Sequence, residues 1–92
     1  MERILCIVDS LNTGGAETFL MKLRRALDKS KYQMDFISSD KGYYDEEVTN
    51  TGGIIYYIPF RTKKPFVVYE KIKNIIKRGN YKIVIKLGST PI

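Results

Sequence analysis

The sequence contains no histidine, and its single cysteine, Cys6, has no second thiol to pair with. Without an imidazole, Ser-His-Asp and Cys-His nucleophile pairs are excluded and zinc sites lose a principal ligand. An internal disulfide is likewise impossible, and Cys6, set inside an apolar run, is expected to be a buried small hydrophobe. No apolar run approaches the ~20 residues that a membrane-spanning helix needs. Met1-Glu2-Arg3 leads straight into the short run Ile4–Val8, without the long apolar region and small-residue cleavage site of a secretory signal. A cytoplasmic location is the expectation. Internal repeats and low-complexity segments are absent too.

What remains is the composition of a small α/β domain. Of its 92 residues, 43% are hydrophobic and 28% charged, enough for one domain with a modest core. The formal net charge of +6 favours anionic partners: a nucleotide, nucleic acid or an anionic membrane face. Scattered lysines equally describe a solvated surface. Seven tyrosines stand among these lysines, but no aromatic RNA-binding motif is formed, so nucleic acid is not an expected partner.

Apolar runs alternate with helical patterns. Arg3–Val8 is continuously apolar after its first residue and predicts a strand buried on both faces. Ala16, Phe19, Leu20, Leu23 and Leu27 fall on one predicted helix face, with Lys22, Arg24, Arg25 and Asp28 mostly off it. Met34, Phe36 and Ile37 mark a second strand over Gln33–Ser38. A weaker helix is expected over Tyr43–Thr51, its acidic Asp45-Glu46-Glu47 cluster suiting the first turn and Gly52-Gly53 stopping it. Ile54–Ile58, β-branched and aromatic, predicts a third strand. A basic loop from Pro59 to Pro65 carries Arg61, Lys63 and Lys64. Val68, Ile72, Ile75 and Ile76 predict a helix over Phe66–Arg78 capped by Gly79, and Tyr81–Leu87 a fourth strand. The alternation predicts a Rossmann-like, three-layer βαβ domain with a parallel sheet of four strands and right-handed crossovers. Three crossover helices leave one face thinly covered and one sheet edge without a partner.

The first strand leads into Asp9-Ser10-Leu11-Asn12-Thr13-Gly14-Gly15-Ala16. A helix opening on glycine offers unpaired backbone N–H groups, unobstructed, to an anion such as phosphate. Ligands of such sheets bind beyond the carboxyl ends of the strands, where strand order reverses. That point falls between the first and fourth strands, so Asn12, Thr13, Gly14 and Gly15 are expected to face Gly88, Ser89 and Thr90, with Ser10 as a further hydrogen-bonding group. The turn is neither a G-x-G-x-x-G nor a P-loop sequence, and Glu17 adds negative charge where an anion is expected. A phosphate cradle and a plain strand-to-helix connection therefore both stand as readings of the residues.

Val8-Asp9-Ser10-Leu11-Asn12-Thr13-Gly14-Gly15-Ala16-Glu17-Thr18-Phe19-Leu20 resembles the N-terminal signature "V-x-x-L-x-x-G-G-A-E" of GT-B-type, retaining, nucleotide-sugar-dependent glycosyltransferases, the group 1 or family 4-like class. Tyr44-Asp45-Glu46-Glu47, Gly52-Gly53-Ile54-Ile55-Tyr56-Tyr57-Ile58-Pro59 and Asn80-Tyr81-Lys82-Ile83-Val84 leading into Gly88-Ser89 are similar to later parts of the same domain. The resemblance implies an acceptor-side N-terminal half of a two-domain enzyme of hexosyltransferase type that builds capsular or other surface polysaccharide. It places Gly14 and Gly15 beside the donor diphosphate and the acceptor. It implies a nucleotide sugar and a saccharide or lipid-linked acceptor as partners, peripheral contact with the inner membrane face, and no metal or other cofactor. Where the family carries histidines around its fourth strand, this sequence has Ile85 and Leu87 instead. The donor-binding half is not among these residues, so residues 1–92 are expected to be a truncated single domain, inactive alone. An isolated domain, a natural truncation and a subunit completed by another chain all fit that length. Readings from other classes are a non-catalytic interaction module completing a donor-binding subunit, and a small nucleotide-binding βαβ protein.

Overall fold

The Ile4–Val8 run lies inside β1 (Glu2–Val8), an interior strand of a four-stranded sheet in the computed structural model, which describes residues 1–60 and 63–87. The chain continues through α1 (Gly15–Ala26), β2 (Tyr32–Ser38), α2 (Asp45–Asn50), β3 (Ile55–Tyr57), α3 (Pro65–Gly79) and β4 (Ile83–Lys86). Strand order is β3-β2-β1-β4 and every pairing is parallel. β1 and β4 are neighbours, Ile4 opposite Ile83 and Ile7 opposite Lys86. The expected Rossmann-like α/β architecture is the one formed.

Alternation along the strands splits the core into two layers. Ile4, Cys6, Val8, Met34 and Phe36 pack against Leu20 and Met21 of α1 and Val48 of α2. Leu5, Ile7 and Ile37 point the other way, against Val68 and Ile72 of α3. Cys6 is fully buried, and burial, reinforced by the Asp35 charge, pushes its thiol up to about 12.

The structure corrects the predicted face of α1. Leu20, Met21 and Arg24 are its buried residues, whereas Ala16, Phe19 and Leu23 face outward. Arg24 is only 7% exposed because its guanidinium has three acceptors, one on β2 and two at the end of α2. It donates to the Met34 carbonyl (3.1 Å), the Thr51 hydroxyl (2.6 Å) and the Val48 carbonyl (3.4 Å), binding α1 to β2 and to the end of α2. Arg24, expected mostly off the apolar face, is therefore interior. Arg25 is held at 2.6 Å by Glu47.

The end of α3 is corrected in the same way. Asn80, not Gly79, takes the left-handed conformation, at φ 55°. Gly79 closes the helix, where a Cβ would run into the Tyr81 ring. Tyr81 precedes β4 instead of belonging to it, and α2 is shorter than the expected Tyr43–Thr51.

Candidate functional site

In a parallel sheet all strands deliver their loops to one rim, and here the β1–α1 and β2–α2 turns are bonded into a single surface. The Leu11 carbonyl accepts the Tyr44 amide at 2.9 Å. The Asn12 side-chain carbonyl accepts the Tyr43 amide at 3.1 Å, while the Asn12 amide group donates to the Ser10 hydroxyl at 2.9 Å. Gly42 lies so close to Leu11 that a Cβ would stand 2.6 Å from the Leu11 nitrogen. The Gly42 amide donates to Asp45 at 2.9 Å, and the same carboxylate oxygen accepts the Tyr57 hydroxyl at 2.5 Å. That hydrogen bond, helped by burial, pushes the Tyr57 phenol up to about 12.

The two predicted glycines differ in role. Gly14 is the N-cap of α1, in an extended conformation (φ −68°, ψ 162°) open to any residue, and no side chain caps the helix. The first helical bond runs from the Thr18 amide to the Gly14 carbonyl at 2.9 Å, so the amides before Thr18 have no acceptor within the helix. A Cβ on Gly14 would collide with the Glu17 carboxylate, which folds back over the helix start. A Cβ on Gly15 would meet nothing within 4 Å. The helix end is thus open on the Gly15 side and flanked by the chain's own anion on the Gly14 side. Thr13 is exposed beside it.

Of the predicted site residues, Asn12, Thr13, Gly14 and Gly15 share this rim, with Asn12 committed to holding the two turns together. Gly88, Ser89 and Thr90 lie outside the described residues, as does Arg61. The last described residue, Leu87, donates its amide to the Ile7 carbonyl at 2.9 Å, beside the origin of the β1–α1 turn. Gly42, Tyr43 and Tyr57 were not singled out as site residues. Gly42 and Tyr43 carry only the signal of a glycine before a weak helix, and Tyr57 that of an aromatic strand residue.

A second polar cluster sits at the opposite end of the sheet. Asp35 in β2 is fully buried and accepts from Arg3 (3.1 Å), Gln33 (2.9 Å), Tyr81 (2.5 Å) and the Ile54 amide (3.0 Å). Burial and the Asp35 hydrogen bond drive the Tyr81 phenol well above its ordinary range. With both carboxylate oxygens satisfied and the candidate rim at the other end, this cluster ties β1 and β2 to the residues that lead into β3 and β4 instead of offering a reactive group. Among the described residues, no three His, Cys, Asp or Glu side chains gather as a metal site, and no helix is long and apolar enough to cross a membrane.

No protein-family model matches the sequence. The chain is 39% identical over 81 residues to the protein named "Putative glycosyltransferase EpsF" from Bacillus subtilis (strain 168). The match covers 85% of this chain and 21% of that protein, so the chain spans about a fifth of the relative's length. This similarity, running through most of the domain, supports a glycosyltransferase-like fragment.

Proposed function

We propose that these residues form the acceptor-side half of a retaining, GT-B-type glycosyltransferase. Such an enzyme transfers a sugar from a nucleotide-sugar donor to a saccharide or lipid-linked acceptor in surface polysaccharide synthesis. The observation that carries the reading is the similarity to a protein named as a glycosyltransferase over 85% of the chain. The geometry supports it: an open helix start at Gly15 stands on the carboxyl rim of a parallel sheet, where the unpaired first-turn amides can approach a diphosphate. Half a cleft cannot exclude water or hold donor and acceptor in line, so residues 1–92 alone transfer no sugar. The donor-binding groups come from a second lobe. In this reading no metal takes part.

The same proposal places the protein in the cytoplasm, with peripheral membrane contact. Phe66, Val67 and Tyr69 at the start of α3 are exposed, next to Lys63 and Lys71. Each lysine near anionic lipid is worth about 1 kcal/mol.

Amide NMR titration of the 92-residue chain with UDP, GDP and NAD tests the reading. Shifts at Gly14, Gly15 and Ala16 with UDP or GDP are the expected result. Shifts with NAD alone would overturn the assignment in favour of a small dinucleotide-binding protein.

A further inference from the structure

Arg3 pairs with Asp35 at 3.1 Å and Arg25 with Glu47 at 2.6 Å. Arg24, more buried than either, bonds only neutral groups: the Met34, Val48 and Thr51 carbonyls and the Thr51 hydroxyl. Its Nη2 donates to Val48 and Thr51 over 3.4 and 3.5 Å, well beyond the usual ~2.9 Å. Burial lowers the Arg24 pKa from its ordinary value, outweighing the attraction of Asp35 and Glu47. A buried cation with no bonded anion carries an uncompensated desolvation cost. Arg24 also lines a pocket of about 220 Å³ between the end of α1, the start of β2 and the end of α2. Lys29 brings a second positive charge to the pocket, Leu27, Tyr32 and Met34 supply apolar wall, and no carboxylate lines it.

We propose that this pocket binds a small organic acid, its carboxylate on Arg24 and Lys29 and its carbon skeleton against Leu27, Tyr32 and Met34. The ligand supplies the anion that the other two arginines have from the chain itself. A planar guanidinium fork matches the two oxygens of a carboxylate. The carbonyls at the end of α2, which would repel an anion, are the ones to which Arg24 already donates. Apolar wall beside the charges favours an acid with a hydrocarbon part over a bare inorganic anion. The volume suits a molecule the size of benzoate and lies below the roughly 300–1,000 Å³ of sites for larger ligands. The pocket stands at the amino ends of the strands, away from the rim that carries Gly14 and Gly15.

The inference does not rest on the glycosyltransferase reading, and its test uses no nucleotide. Amide NMR titration of the 92-residue chain would use sodium benzoate, with benzamide as its uncharged counterpart and inorganic phosphate as a bare anion. Benzoate is expected to shift the Lys29, Gln33 and Gly52 amides with a Kd of about 1 mM and to leave Gly14 and Gly15 unmoved. Binding to the folded state alone should also raise Tm as benzoate is added. Lys29 is exposed, so Lys29→Glu keeps the fold and is expected to weaken benzoate binding about fivefold. The absence of shifts at those three amides would overturn the proposal. So would equal binding of benzamide, phosphate binding as tight as benzoate, or unchanged benzoate affinity in Lys29→Glu.

Discussion

The Asn12 side chain accepts the Tyr43 amide at 3.1 Å and so fastens the glycine turn after β1 to the turn after β2. It spends one acceptor of a predicted ligand-binding residue on the scaffold of the site. Asn12→Ala is expected to cost about 1 kcal/mol in urea unfolding, the ordinary net worth of one such bond. It should also shift the amide resonances of Tyr43 and Tyr44 far more than those of β4. A stability change without those shifts would show that the two turns are held together by other contacts.

Gly42 and Gly15 separate a glycine needed for packing from one that leaves a surface open. At Gly42 a new Cβ meets Leu11 backbone atoms at 2.6 to 2.8 Å, and backbone cannot rotate away as a side chain can. Gly42→Ala is expected to destabilise by about 1–3 kcal/mol, the usual range for overpacking. Gly15→Ala, in the first turn of α1 with open space around it, should be neutral or stabilising by up to about 1 kcal/mol. Thermal unfolding of the two variants checks the contrast, and equal losses would refute it.

Much of this fold was legible because continuous apolar runs and helical periodicities alternate without interruption. Strand order followed from handedness and the expected switch point. What periodicity could not show was a charged residue inside. Arg24 falls on the buried face of α1 between Met21 and Leu27, and a hydropathy pattern assigns any arginine to solvent. Only the positions of the Met34 and Val48 carbonyls and of Thr51 make that burial possible. Asp35 escaped notice for the same reason, as a carboxylate within an apolar strand. In the candidate site, Gly14 and Gly15 stood out by composition. Gly42 did not, because its constraint comes from Leu11, distant in sequence.

Arg24→Met tests the interior role. The replacement keeps much of the side-chain bulk but leaves the Met34 and Val48 carbonyls without their guanidinium donor. The Val48 carbonyl keeps the Gly53 amide at 2.8 Å, so a loss of about 1–3 kcal/mol is expected, from the missing guanidinium hydrogen bonds. Arg24→Lys should recover only part of it, because one ammonium cannot span acceptors on both β2 and the end of α2. A near-neutral Arg24→Met would make the hydrogen bonds dispensable.

Glu17 bears on function more directly, since its carboxylate lies over the helix start that the proposed diphosphate must approach. A charge near a helix terminus is worth about 0.3–1 kcal/mol, and an anionic ligand meets that carboxylate as repulsion. Glu17→Gln should therefore strengthen pyrophosphate binding by about twofold to fivefold, read from the Gly15 and Ala16 amide shifts. Weaker binding in the variant would mean that Glu17 orders the turn instead of competing for it.

The last expectation concerns alkaline pH. Tyr57, bonded to Asp45 at 2.5 Å, has its phenol raised from 10.0 to about 12. The folded state holds this proton more tightly than the unfolded chain does. Its contribution is thus complete below pH 10 and disappears as pH climbs toward 12. Tyr57 is 46% exposed, so solvent screening keeps the effect small. The buried Cys6 thiol, also raised to about 12, adds a loss of the same sign that begins near its ordinary value of 9.0. Urea midpoints should hold steady from neutral pH to about 9 and then fall. Tyr57→Phe should start lower and decline less steeply above pH 10, because the variant has no phenolic proton to lose. If the two declines run parallel, the Tyr57–Asp45 bond contributes nothing to the alkaline limb.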